Sequence, residues 1–238
     1  VRRLAVVSIL ALLAGVSSAQ EKAPDAHPLP LNPAANAKEG DWATFSLTLK
    51  VTTPGKTSDA PPVERTEPTA YSVWTFEKIS GDAATLRDTD LGNKKKTHVR
   101  SFSTKDPVTL EAFLAKDAGD LDQVSQVTSD EEKHTVGGKE FACKKVTCTT
   151  SDGKLTIHWT LWFCSTVKGS GLVHMSGEVA GPKQKVTMSL ELAGFGSREK
   201  AEWGKTADEL AKELKAPEPK RETSPPADDA PKPDPKKP

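Results

Sequence analysis

The sequence predicts a mainly β protein: a curved antiparallel meander sheet of about nine strands, an open or half barrel, with one or two covering α-helices. Three observations predict it. Apolar and polar residues alternate with period two through much of residues 41–196, as a sheet with one wet and one buried face requires. Glycine-containing turn signals punctuate the alternation. Two short stretches carry helical apolar spacing instead.

The first segment is not expected to belong to that domain. Arg2 and Arg3 precede an apolar run from Leu4 to Val16, and Ser17 and Ala19 place small residues at −3 and −1 of a cut before Gln20. Residues 1–19 thus read as a secretory signal peptide. The run, about 13 residues, is short of the ~20 that span a bilayer, and no cysteine follows it to take a lipid anchor. The expected localisation is exported, periplasmic or extracellular, with no transmembrane span after cleavage. Lys+Arg and Asp+Glu are level at 33 each; loss of Arg2 and Arg3 leaves 31 basic residues against 33 acidic ones. Such a chain has no global field to steer it toward nucleic acid or membranes.

Residues 20–40 carry Pro24, Pro28, Pro30 and Pro33 without apolar periodicity and read as a disordered Pro-rich linker. Residues 217–238 hold eight of the 18 prolines and no aromatic residue. They cannot bury enough surface to offset ordering entropy and read as a disordered, Pro- and charge-rich tail. The foldable part is 41–215. The overall hydrophobic fraction of 35% averages these unlike segments, and alternate residues suffice to line a sheet core.

Within 41–215, Phe45, Leu47, Leu49 and Val51 face one way and Thr44, Ser46, Thr48 and Lys50 the other. Gly81-Asp82 and Gly92-Asn93 divide 71–102 into three strands. Asp106 then reads as an N-cap with Pro107 at N1, and Leu110, Phe113 and Leu114 make one helical face. Gly137-Gly138, Asp152-Gly153, Gly169-Ser170-Gly171 and Gly181-Pro182 are hairpin or loop signals between later strands. Leu155, Ile157, Trp159, Leu161 and Phe163 alternate with polar neighbours, as do Val186, Met188, Leu190 and Leu192. A capping box at Thr206 and Glu209 opens a C-terminal helix over 206–215, with Ala207, Leu210, Ala211 and Leu214 on one stripe.

Three cysteines in an exported chain imply one disulfide and one free thiol. Cys143 and Cys148 are five apart on one strand and point to opposite faces. The hairpin at 152–154 pairs this strand with 155–164. A Gly153-Lys154 loop sets Cys143 directly opposite Cys164, and an Asp152-Gly153 loop makes them diagonal neighbours. Either register places both on the more polar face and Cys148 beside Trp159 or Ile157 on the apolar one. The expectation is a Cys143–Cys164 disulfide with Cys148 buried and free.

No linear catalytic signature is present: no H-E-x-x-H, no G-x-S-x-G, no phosphate loop and no dinucleotide fingerprint. No catalytic residue, cofactor or metal is expected. His158 and His174, on neighbouring strands, form a two-ligand set with no defined third member. Lys94, Lys95, Lys96 and Arg100 form a candidate basic patch, which reads more simply as a hairpin edge protected by lysines. The absence of interleaved aromatic residues argues against a nucleic-acid partner. Trp162 stands out on the polar face near Lys145.

The run Val136-Gly137-Gly138-Lys139-Glu140-Phe141-Ala142-Cys143, followed by Trp162-Phe163-Cys164-Ser165-Thr166-Val167, resembles small exported bacterial proteins of unknown function. Those proteins carry an aromatic-x-Cys strand, a hairpin and a Trp-containing strand; Lys168 stands where a proline is usual. A curled antiparallel sheet with a covering helix is similar in outline to periplasmic lipoprotein carriers. That resemblance implies a hydrophobic concavity able to hold an acyl chain. The functional expectation is an exported, non-catalytic β-domain that binds an apolar or lipid ligand or an envelope partner. The alternatives are a structural or protein-interaction module of the envelope, and a hydrolase or metal-dependent enzyme without a recognisable motif.

Overall fold

The computed structural model describes residues 27–55, 61–92, 96–114, 123–151, 156–181, 184–198 and 200–215. The expected signal peptide, residues 20–26 of the linker, the tail 217–238, and Lys94 and Lys95 lie outside the described residues. Eleven strands are described: β1 (Asp41–Thr53), β2 (Val63–Thr66), β3 (Ala70–Ser80), β4 (Ala83–Asp90), β5 (Thr97–Ser103), β6 (Gln123–Val136), β7 (Lys139–Ser151), β8 (Thr156–Phe163), β9 (Leu172–Ala180), β10 (Lys185–Ser197) and β11 (Lys200–Gly204). Helix α1 (Leu110–Leu114) lies between β5 and β6, and α2 (Ala207–Lys215) ends the domain.

Nine strands form one continuous antiparallel sheet in the order β5-β4-β3-β1-β10-β9-β8-β7-β6. Strand β2 adds to β1 and β11 to β10. This is the half-barrel that the alternation predicts. Its topology adds one feature to a simple meander. Two hairpin-linked meanders, β1-β3-β4-β5 and β6 to β10, are fused by the long β1–β10 ladder, which runs from Asp41 opposite Ser197 to Thr52 opposite Lys185. The chain therefore passes from the β5 edge to the β6 edge, and α1 lies on that passage.

The concave face is filled. Phe45 and Trp74 pack with ring centroids 4.8 Å apart, and Phe113 of α1 meets Trp74 at 6.1 Å, Phe102 at 6.4 Å and Phe163 at 5.3 Å. Phe76, Leu86, Leu110, Leu114, Leu161 and Leu192 complete a core of fully buried side chains. Helix α1 presents Leu110, Phe113 and Leu114 as expected, but its cap is Thr109, whose Oγ1 accepts the Ala112 N–H at 3.2 Å. Asp106 instead closes a turn with Ser103, its backbone N–H reaching the Ser103 hydroxyl at 2.9 Å. The Thr206 capping box forms as expected: the Thr206 N–H donates to Glu209 at 2.8 Å and the Glu209 N–H to the Thr206 hydroxyl at 3.3 Å.

Two expectations are corrected. Within the Pro-rich stretch, residues 27–40 are not a free linker. Leu29 and Ala34 are buried in the core, and the Leu29 N–H donates to the Val108 carbonyl at 2.8 Å. Two well-placed apolar side chains and a backbone pairing seat this segment despite its lack of periodicity. Arg100 does not join a surface patch. It is 7% exposed and donates to the Phe113 carbonyl at 3.1 Å, with its guanidinium 5.2 Å from the Trp74 ring centroid. Its alternating position on β5 faces it inward beside Phe102, where the cation meets the carbonyl end of α1. Lys96 is exposed. Among the described residues no helix is long and apolar enough to cross a membrane.

Phe113 joins the aromatic residues of both meanders. Phe113→Ala is expected to cost about 3–5 kcal/mol in urea unfolding. Leu214→Ala, at a position 37% exposed, should stay within about 0.5 kcal/mol.

Candidate functional site

Most features that bear chemistry lie on the outer face, where the β6–β7 hairpin folds back over the sheet. Gly137 and Gly138, at φ +54° and +78°, form its turn, and a Cβ on Gly137 would stand 3.2 Å from the Trp203 ring. Phe141 packs edge-on to Trp203 at 5.4 Å, and Phe195 lies 6.1 Å from Trp203. The Lys139 ammonium sits over all three rings, 5.1–5.7 Å from their centroids. This small aromatic cluster joins the hairpin to β10 and β11.

One turn further in, β6 pairs His134 with Phe141 and Glu132 with Cys143. Strand β8 pairs Trp162 with Lys145 of β7 and with His174 of β9. A β-bulge beside Trp162 and Phe163 steps the register, so that Phe163 faces Leu172 while Trp162 faces His174. Alternation along these pairs puts His134, Trp162 and His174 on one face. Curvature then brings the edge strand β6 over β9. The Trp162 and His174 rings stack at 4.8 Å, His134 stacks on Trp162 at 4.6 Å, and His134 Nε2 lies 3.0 Å from His174 Nδ1. His174 Nε2 is held by the Ser189 hydroxyl at 2.9 Å. Glu132 pairs with Lys145 at 2.9 Å, which holds its carboxyl below the usual range.

Burial lowers the pKa of both imidazoles. That of His174 falls to about 4, with its His134 neighbour adding to the effect. The two-histidine set considered from the sequence, His158 with His174, is not brought together. His158 bonds the Thr149 hydroxyl at 3.1 Å and pairs with Glu178. His98 is exposed, and His27 pairs with Glu111 at 2.7 Å. Among the described residues no group of three or more His, Cys, Asp or Glu side chains surrounds a common point.

The cysteines follow the parity argument as far as geometry. Of the two registers left open, the structure takes the one with Ser151 opposite Thr156. Its last pair, Lys144 opposite Phe163, carries Cys143 and Cys164 to facing positions just beyond the ladder, and Cys148 lies opposite Trp159. All three are free thiols, so the expected disulfide is not formed in this structure. Cys143 and Cys164 are nevertheless close neighbours and only 3% and 4% exposed. The proximity of the two sulfurs lowers the Cys164 pKa and raises that of Cys143; the Thr166 hydroxyl adds a contact to Cys164 at 3.1 Å. Burial pushes Cys148 up to about 12. A recess of about 560 Å³ opens beside Cys143, bordered by Pro30, Leu31, Glu131, Lys133 and Ser165.

No protein-family model, curated protein or solved structure matches the chain. The arrangement has to be read from its own residues. His134 is the member of this cluster that the sequence signals least. The two-glycine turn sets it opposite Phe141, and alternation gives its face, but neither reveals that β6 curls across to β9.

The depressed His174 pKa gives a signed expectation. The unfolded chain binds a proton at His174 near the ordinary pKa of about 6.5, and the folded chain only near 4. The stability linked to this group is fully present above about 6.5 and declines as pH falls toward 4. His174→Asn should flatten that part of the stability–pH curve in chemical denaturation measured between pH 4 and 7.

Proposed function

We propose that this is an exported, non-catalytic β-domain that acts by binding an envelope partner on its outer surface, and not by carrying a lipid in its interior. The observation that carries the reading is the filled concave face. Phe45, Trp74, Phe76, Phe113 and Phe163 occupy the position where a carrier would hold an acyl chain. The described recess lies instead beside the folded-back hairpin, and charged residues of both signs border it. A mixed-charge border favours an oriented polar partner over an acyl tail.

Native mass spectrometry of the protein purified from its own host tests the choice. The expected spectrum shows the bare polypeptide after gentle desolvation. A stoichiometric acyl lipid, confirmed by extraction, would overturn the reading and restore the carrier.

Export also bears on the cysteine pair. In an oxidising compartment, Cys143 and Cys164 are placed to form one S–S bond by thiol–disulfide exchange. The two thiols give up their protons and two electrons, and a disulfide-bearing oxidant is reduced to two thiols. The bond would close a loop of about 20 residues and add roughly 3 kcal/mol on the chain-entropy model. Intact-mass measurement of the exported protein should show a gain of two hydrogens on reduction, and peptide mapping should link 143 to 164. A bond that includes Cys148 would contradict the β7–β8 register.

A further inference from the structure

We propose that the facing imidazoles of His134 and His174 form a proton-operated clasp, which holds the edge strand β6 against β9 over Trp162 and releases it when both rings become cations. This goes beyond surface binding of a partner and does not depend on it.

His134 Nε2 and His174 Nδ1 face each other 3.0 Å apart. At that spacing one nitrogen donates a hydrogen and the other accepts it. The Ser189 hydroxyl contacts His174 Nε2 at 2.9 Å. When Nε2 carries the proton and donates it to Ser189, Nδ1 offers its lone pair to the N–H of His134. With one proton added to the pair, one ring still offers a lone pair and the contact holds. With two, both facing nitrogens carry hydrogens and no acceptor remains between them. The clasp therefore tolerates one imidazolium and opens on two.

The neighbouring strands set which ring charges first. Glu132 of β6, held by Lys145 of β7 at 2.9 Å, and Glu191 of β10, the cross-strand partner of His174, favour a cation at His134. Lys145 and burial oppose it. Cys143 of β7, beside the His134 backbone, is uncharged as a thiol or in a disulfide. β8 presents Trp162 and β10 Ser189, and neither titrates below neutrality. Burial, with His134 adding to it, keeps the docked His174 neutral down to about 4, whereas a released ring takes its proton near the ordinary 6.5. Acid thus favours the released state: the clasp is closed above about 6.5 and gives way as pH falls toward 4.

The fold confines the movement. Strand β7 pairs with β8 only as far as Lys144 opposite Phe163, so the rest of the β6–β7 hairpin projects beyond its neighbour. The turn of that hairpin is fixed separately, by Phe141 against Trp203 at 5.4 Å. From Thr128 to Lys133, β6 is exposed. His134, stacked on Trp162 at 4.6 Å, attaches it to the sheet beneath. Release swings His134 off Trp162 and leaves the turn cluster and α1 in place. The product is an acid form of the protein with an uncovered indole on its outer face.

The test is an NMR titration of the isotope-labelled, exported protein from pH 7 to 3. Imidazole nitrogen shifts report the charge on each ring, and nuclear Overhauser cross-peaks report the contacts. At pH 7, cross-peaks from the His134 ring to Trp162 and His174 are expected. They should disappear with the midpoint at which the second ring becomes a cation. Cross-peaks between Phe141 and Trp203 and between Phe113 and Trp74 should survive that step. In His174→Asn the amide oxygen can accept from His134 and does not titrate, so the His134–Trp162 cross-peaks should persist to pH 3. His158→Asn should leave the midpoint unchanged. Wild-type His134–Trp162 cross-peaks that persist at pH 3 would overturn the clasp. So would their loss together with the Phe141–Trp203 and Phe113–Trp74 cross-peaks, which would mark global unfolding.

Discussion

The β1–β10 ladder is the contact on which the remaining architecture depends. Each meander is built from local hairpins that need little from the other. Pairing Asp41–Thr52 with Lys185–Ser197 makes them one sheet and leaves β5 and β6 as its two edges. The connection between those edges then has to cross the concavity. Helix α1 lies on that crossing, and its Phe113 contacts Trp74 of one meander and Phe163 of the other. The apolar face that alternation creates in each strand is thus closed by the chain itself.

The outer face carries a second consequence of sheet geometry. A long, coiled hairpin at an edge can fold over its own sheet when small residues make the turn and aromatic residues meet it. Gly137 and Gly138 make that turn, and Phe141, Phe195 and Trp203 receive it. The same curvature that packs this cluster brings His134 against Trp162 and His174. The imidazole seam is a product of the folded-back hairpin, and the Cys143–Cys164 contact is a product of the β7–β8 register. The two thiols meet through direct strand pairing, whereas the two histidines meet only through curvature.

That distinction explains what the sequence made legible. Alternation and turn residues fix the face of each side chain and the pairing of sequence neighbours. The half-barrel class, the Cys143–Cys164 juxtaposition, the Thr206–Glu209 box and the opposition of Cys148 and Trp159 follow from such local rules. Contacts set by curvature or by distant pairing do not. Nothing in the run around His134 signals His174, because the strands that carry them are not neighbours. Likewise, Arg100 follows a lysine run and reads as surface. Its burial depends on the α1 carbonyl end that the crossover delivers to it. Residues 27–40 lack periodicity because they form no regular element there, yet Leu29 and Ala34 suffice to seat them.

The central claim is that α1 plugs the concavity by bridging the two meanders. The most direct measurement is a set of nuclear Overhauser contacts from the Phe113 ring in solution. Cross-peaks to the rings of both Trp74 and Phe163 are predicted, since the centroids lie 6.1 and 5.3 Å away. A Phe113 ring with no cross-peaks to either residue would mean that the helix does not occupy the concave face, and would contradict the account.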